Sequence, residues 1–433
     1  MLEKIKKGIV ALCSTVLGVV FIFSGFVKAV DPLGGAYKMH DYFSAFHLDF
    51  LNILELPLSL ALSIVEFLLG IFVLLRLYTK FTSVCMFAFM LFMTALSFYL
   101  ALADPVSDCG CFGDAFIISN WQTFYKNFLI LLPAAFILMR WQSYTSPIFT
   151  EKINWLISLY SLAFILLVSL YSYQYLPILD FRPYKIGADI PLLMSIPLDA
   201  ETDEYETSFV YEKNGEQKEF TIDNYPADDS TWIFVDSKNI LIKEGYKPAI
   251  HDFNITNAQG DDITDIILAD TGYTFLMIST KLDKAADTNV DNINEIYDYA
   301  QRFDHSFYCL TASSQKDISD WIQYTGAEYP ICISDETTLK TIVRSNPGLV
   351  LIHNGIIVGK WHHNNLPKYN DLVKPLNEQD WGLLTPISDS KKVLVVFMIL
   401  FIPLFLLWIW DFFYYRKKKD IIDKEDKLTK KTN

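Results

Sequence analysis

Asp108-Cys109-Gly110-Cys111-Phe112-Gly113 is the stretch of this chain richest in chemistry. A disulfide between Cys109 and Cys111 closes a very small ring. Strain makes such a bond easier to reduce, so it suits exchange better than stapling. Gly110 gives the backbone the freedom to close that ring. At a membrane edge the pair could pass electrons to a quinone in the bilayer. Two other readings stay open. The thiols could be structural, separate or bonded to lock the loop. They could also supply half of a zinc site, with His40 and His47 in a neighbouring loop, although His-x6-His is not a usual ligand spacing. Asp108 and Asp114 flank the motif; a carboxylate so close would raise a thiol pKa, so both read as loop and cap residues rather than bases.

Glu66 is the second candidate. It lies in the middle of an apolar run, where a carboxylate is costly unless it faces the bundle interior with a partner or a proton. Lys28 is a partner about a turn or two nearer the surface. Glu66 then reads as a proton relay beside the thiol site or as a polar contact fixing helix packing. The other cysteines are quieter. Cys309 and Cys332 sit in neighbouring strand-like runs and read as small hydrophobes, with a cross-strand bond as the alternative. Cys13 and Cys85 lie near helix ends and read as packing residues. His362 and His363 are adjacent in a strand, hence on opposite faces, and read as a surface edge.

The elements that carry these residues are greasy. The chain is 52% hydrophobic over 433 residues, too apolar for an ordinary soluble enzyme. A membrane helix takes about 20 apolar residues. Six windows qualify: 8–30, 56–75, 81–103, 121–139, 153–176 and 393–413. The first has a basic start, as a secretory signal has, but its apolar run is too long and no small-residue cleavage site follows, so it reads as a retained helix. With six spans, Lys4, Lys6 and Lys7, then Arg76 and Lys80, then Arg140 and Lys152, then Arg416 to Lys419, all fall on one side. The positive-inside rule makes that side cytoplasmic. The cysteine pair then faces outward, where thiols can oxidise. The long segment 177–391 shares that side, and its acidity accounts for much of the net charge of −14. Such a balance argues against nucleic acid as a partner.

Within that segment, 205–262 alternates polar and apolar residues around turn signals and reads as a β-rich unit. From 273 the rhythm changes to strand, helix, strand, helix, strand, helix, then the hairpin signal His353-Asn354-Gly355. That order predicts an α/β sheet with an antiparallel end. The run from Tyr273 to His363, with Ser345-Asn346-Pro347-Gly348-Leu349 before a strand, resembles the thioredoxin-like fold. The resemblance implies a cis Pro347. It also implies a CxxC near Lys284-Ala285-Ala286-Asp287, where there is no cysteine.

Ser24-Gly25-Phe26-Val27-Lys28-Ala29-Val30-Asp31-Pro32, the Glu66-x3-Gly70 pattern and DCGCFGD are similar to the DoxX family and the related MauE (methylamine utilisation) family. This resemblance implies a four-helix membrane unit with a role in periplasmic redox or in maturation of disulfide-containing proteins. It does not imply methylamine as substrate. Quinone-linked bundles such as DsbB and vitamin K epoxide reductase offer an analogy for the thiol pair.

The resulting expectation is a membrane α-helical bundle, four helices plus two further transmembrane spans, fused to an extracytoplasmic α/β thioredoxin-like domain with a preceding β-rich unit. The division runs 1–145 for the four-helix unit, 146–180 for the fifth span and linker, 181–265 for the β-rich unit, 266–370 for the thioredoxin-like domain and 390–433 for the sixth span and basic tail. The expected function is thiol–disulfide redox or maturation of an exported cysteine-containing client at the bacterial inner membrane. Cys109, Cys111 and Glu66 carry it, with quinone as the electron-carrying partner. The alternative is a non-enzymatic assembly platform. Transport fits poorly, because no inverted repeat is visible.

Overall fold

The computed structural model describes residues 2–416 apart from 107, 145–147, 198, 202–203, 214, 222–223, 225, 227–228, 230, 244, 369–370 and 385–388. Lys417, Lys418 and Lys419, and the rest of the basic tail, lie outside the described residues.

Six of the described helices are long and apolar enough to cross a membrane. They are α1 (Leu2–Val30), α3 (Glu55–Leu75), α4 (Thr79–Ala103), α5 (Asn120–Met139), α6 (Asn154–Gln174) and α12 (Asp389–Asp411). A shorter helix, α2 (Pro32–Ala45), follows α1 directly. Asp31 starts it: its carboxylate accepts from the Gly34 N–H at 2.9 Å, and Pro32 takes the first turn, where no N–H is needed. The first four spans pack around Leu17, Phe21, Val73, Met86 and Ile137. The crossing of α1 and α3 is set by glycine. A Cβ on Gly25 would stand 2.4 Å from the Phe67 nitrogen, and one on Gly70 would stand 2.6 Å from the Ile22 nitrogen. Such close approach gives dispersion contact where lipid offers no hydrophobic drive. Spans α6 and α12 add to the same bundle through Ile157, Ile165, Leu400 and Leu404 against Phe67 and Ile71. This is a multi-pass membrane protein in contact with the bilayer.

Two sheets lie between α6 and α12. The smaller has three antiparallel strands, β1 (Glu204–Lys213), β2 (Glu216–Thr221) and β3 (Ile233–Lys243), in the order β2-β1-β3. Tyr211, Phe220, Phe234 and Trp232 hold one another edge to face across it. The helical turn α7 (Ile190–Met194) precedes this sheet and α8 (Thr264–Leu268) follows it.

The larger sheet has five strands in the order β6-β5-β4-β7-β8: β4 (Tyr273–Ser279), β5 (Ser306–Thr311), β6 (Ile331–Ile333), β7 (Gly348–His353) and β8 (Ile356–His362). Strands β4, β5 and β6 run parallel, and β7 and β8 are antiparallel. Asn354 and Gly355 both have positive φ, so the predicted turn closes the β7–β8 hairpin. Helices α9 (Val290–Arg302) and α10 (Gln315–Thr325) cover the face that carries Phe275 and Met277. Helix α11 (Glu336–Ile342) covers the opposite face, with Leu276 and Ile278. Two covered faces explain why FLMIS is apolar at every position but the last. The order and the connections make this a thioredoxin-like fold.

Two stretches expected beside the small sheet belong with the large one. Tyr184, Ile190, Ile250, Phe253 and Ile255 pack into its core, and Thr256 bridges to Ile333. Only 204–243 forms the separate sheet.

Candidate functional site

The cysteine pair lies in the connection between α4 and α5, held by residues of α1 and α2 and by its own Asp108. Tyr42 of α2 donates its hydroxyl to the Cys109 carbonyl at 2.8 Å. Ser24 of α1 lies 2.7 Å from the Cys111 carbonyl and 2.7 Å from Glu66 Oε2; its one hydrogen serves either. Asp108 accepts from the Gly110 N–H at 3.0 Å and from Lys38 Nζ at 2.5 Å. Asp108 is therefore a loop-fixing residue, as expected. Gly110 sits at φ +64, and a Cβ there would press on the Lys38 stem at 3.1 Å. The left-handed turn at Gly110 brings the two sulfurs to 3.1 Å from each other.

Both cysteines are buried, at 7% and 8% exposure. The hydrogen bond from Cys109 holds the Cys111 thiol below the ordinary thiol range. Burial works against this, and Lys126 and Lys28 favour the thiolate. Cys109 moves the other way, because it is the donor and is itself desolvated. The shared hydrogen bond thus favours the thiolate at Cys111 over that at Cys109.

Glu66 sits directly beneath. Lys28 Nζ lies 2.7 Å from both of its carboxylate oxygens, and both side chains are buried. The antiparallel α1 and α3 place Lys28 about a turn nearer the cysteine loop, and its stem reaches back across that turn. Ser24 links this ion pair to the Cys111 carbonyl, so Glu66 and the thiol loop form one polar network inside the bundle.

A cavity of about 600 Å3 opens beside the pair. Its walls are α1, α2, the halves of α3 and α4 nearest the cysteine loop, and the linker 177–182. Cys109, Cys111, Lys28 and Arg182 all line it, amid mostly apolar side chains.

The α/β domain reaches the same loop. Arg344, just before cis Pro347, is 5% exposed. Its Nη2 lies 2.9 Å from Asp31 and 2.9 Å from Asp114. Burial opposes ionisation of Asp31, but Arg344 overcomes it and holds that carboxyl below its ordinary value. Asp114 is pushed up by burial. In the same proline loop, the Asn346 side chain accepts from Ser279 at 2.7 Å and donates to the Lys281 carbonyl at 2.9 Å, and its backbone carbonyl accepts from Ala286 N. That clasp crosses 281–287, a stretch without cysteine.

Residues 6–140 match the family model described as methylamine utilisation protein MauE. The match covers the four-helix part and includes Glu66 and both loop cysteines. Residues 205–244, the small sheet, match a model described as a domain of unknown function (DUF8463). No curated protein matches the chain. A solution structure of a candidate protein disulfide isomerase from Bacteroides thetaiotaomicron is similar at 17% identity. That likeness covers 33% of this chain and 91% of the other, with a TM-score of 0.24.

Other sequence candidates fall outside this site. His40 pairs with Glu55 at 2.7 Å. Cys309 faces the α9–α10 side of the sheet and Cys332 the α11 side; register pairs Cys309 with Ile331 and Leu310 with Cys332, so no cross-strand bond is available. Cys13 and Cys85 pack against the bundle core. The expected surface edge at His362 is instead buried, and desolvation pushes that imidazole down to about 4. The 3-10 turn at 363–365 breaks the strand alternation and sets the His362 and His363 rings 4.1 Å apart.

Sequence reading missed Lys38, Tyr42, Arg182 and Arg344. Arg344 had one signal, its place two residues before the proline-loop asparagine.

Proposed function

We propose that this chain is a membrane thiol–disulfide oxidoreductase in which Cys109 and Cys111 are the exchanging pair. The observation that carries this reading is two buried sulfurs 3.1 Å apart in one loop, sharing a hydrogen bond. An arriving client thiolate attacks one sulfur of the Cys109–Cys111 bond and forms a mixed disulfide. The second client thiol then attacks the client's sulfur in that bond, leaving a client disulfide and two thiols on this chain. Two electrons and two protons have moved. Glu66 and Lys28 position the loop through Ser24 and set the charge beneath it. The Lys/Arg distribution supports an inner-membrane orientation with the pair and the α/β domain facing the periplasm. Residues 1–145 would hold the redox centre and residues 266–370 a thioredoxin-like module without its own dithiol, which receives an exported client.

A second reading keeps the α/β domain as a docking platform only. It is favoured by the Arg344 clasp, which seats the proline loop on the membrane unit. The deciding experiment is alkylation of intact cells followed by mass spectrometry across a series of reducing buffers. The redox reading expects a 109–111 bond that opens at a potential above about −300 mV, where structural disulfides generally lie. Thiols that never oxidise, or a bond that mild reductant never opens, would put the platform reading in front.

A further inference from the structure

A disulfide attacked by a client thiolate must release one of its own sulfurs as a thiolate. The charges around the loop decide which. They come from every element packed on it. Lys28 of α1 and Glu66 of α3 lie 2.7 Å apart and offset each other. Asp108 of the loop is taken by Lys38 of α2. Asp31 and Asp114 share Arg344, and Asp180 holds Arg182.

Lys126 is different. It stands in the second turn of α5 and is partly buried. Among the described residues no carboxylate pairs with it. Its Nζ lies instead 4.1 Å from the centre of the Phe112 ring, and Phe112 directly follows Cys111. A second, small cavity of about 30 Å3 shows what this cation faces. Lys126, Phe112, Cys111, Ser24 and Glu66 share its wall, and Cys109 does not line it. Charges at buried sites are weakly screened, so an ammonium beside a buried sulfur favours its thiolate. The direction at Cys111 agrees, with Lys126 favouring the thiolate more than Lys28 does.

Resting on the thiol–disulfide reading of Cys109 and Cys111, we infer that Lys126 decides which sulfur leaves: its charge stabilises Cys111 as the leaving thiolate, so the client attacks Cys109. The step balances. The client thiolate forms an S–S bond to Cys109, and the Cys109–Cys111 bond breaks. Its electron pair stays on Cys111. The second client thiol then attacks the client's own sulfur and displaces Cys109, which takes the proton that thiol gives up. A thiol that ionises more readily leaves faster, and a stabilised reduced form makes the pair a stronger oxidant.

The test uses the full-length protein in lipid nanodiscs and reads two quantities by mass spectrometry. One is the pH midpoint for alkylation of Cys111 in the reduced protein. The other is the reduction potential of the pair in glutathione buffers. Lys126→Met should raise the midpoint by about one pH unit, the scale of a single neighbouring charge. It should weaken the preference for the reduced pair about tenfold, which is about 30 mV for two electrons. Lys126→Gln, neutral but polar, should match it and replaces it if methionine disturbs the helix. Lys126→Arg keeps the charge and should keep both parent values. A lysine that only anchors α5 at the membrane surface would move neither quantity. Unfolding by sodium dodecyl sulfate, followed by tryptophan fluorescence, certifies that the variants are folded. Folded neutral variants with the parent's midpoint and potential overturn the inference and leave the thiol reading standing. So does a Lys126→Arg protein that behaves like Lys126→Met, since charge is then not the cause. A parent pair that no glutathione buffer closes overturns the thiol–disulfide reading itself.

Discussion

Breaking the Lys28–Glu66 pair should unfold this protein more readily than almost any other single change in the bundle. The charges are 2.7 Å apart and both side chains are buried. At an effective dielectric of about 20, that separation is worth roughly 6 kcal/mol of attraction. Desolvation offsets much of it, but deleting one partner leaves the other charge buried alone, which costs about 3–5 kcal/mol. Glu66→Gln and Lys28→Met should each shift the folding equilibrium by roughly two to four powers of ten. The double variant Lys28→Met, Glu66→Leu should recover most of the loss, since no charge is stranded. Unfolding by sodium dodecyl sulfate in mixed micelles, followed by tryptophan fluorescence, measures all four proteins. The same variants should split at the thiol. Lys28 favours the Cys111 thiolate and Glu66 opposes it. Lys28→Met should therefore slow Cys111 alkylation at neutral pH, and Glu66→Gln should not. Single variants as stable as the parent, or a double variant as weak as the two losses summed, would refute the reasoning.

The alkylation rate of Cys111 should climb and level off at a pH below the ordinary thiol range, because the Cys109 hydrogen bond favours its thiolate; mass-resolved labelling checks this. In Cys109→Ala the midpoint should move up into the ordinary thiol range, since the lost hydrogen bond is the main cause of the shift. A parent midpoint already in that range would sink the reading that the Cys109 hydrogen bond favours the Cys111 thiolate. Gly25→Ala puts a methyl 2.4 Å from the Phe67 nitrogen and 2.7 Å from the Ser63 carbonyl, so α1 and α3 must part. The detergent titration should show a loss of about 1–3 kcal/mol, the scale of overpacking.

What was readable in the sequence is what repeats along the chain. The six spans announce themselves by apolar length, and each observed helix overlaps its expected window. The strands of the large sheet and the hairpin at Asn354-Gly355 follow from apolar runs and turn chemistry. Lys28 could be named as a partner of Glu66 because two ionisable residues in hydrocarbon have few other options. The remainder depends on contacts between distant segments. Nothing local marks Tyr42 as the donor to Cys109, or Arg182 as a cavity wall. Residues 250–256 read as β-rich and are extended, but their apolar side chains fit the α11 side of the large sheet better than the small one. His362 misled because strand alternation was carried one residue past the point where the 3-10 turn begins.

The bond between Arg344 and Asp114 joins residues 230 positions apart in the chain. Synthesis runs at about 5–20 residues per second, so roughly 10–50 s separate the two ends of that contact. The cysteine loop is made, and its four helices can assemble, before the arginine that caps it has been translated. During that interval Asp31 and Asp114 lack the Arg344 guanidinium, and the loop depends on contacts within the membrane unit, Ser24, Lys38, Tyr42 and Asn120 among them. The order of residues along the chain thus gives every new molecule a brief early life in which Asp31 and Asp114 lack the Arg344 guanidinium, which joins them only when the last third of the protein arrives.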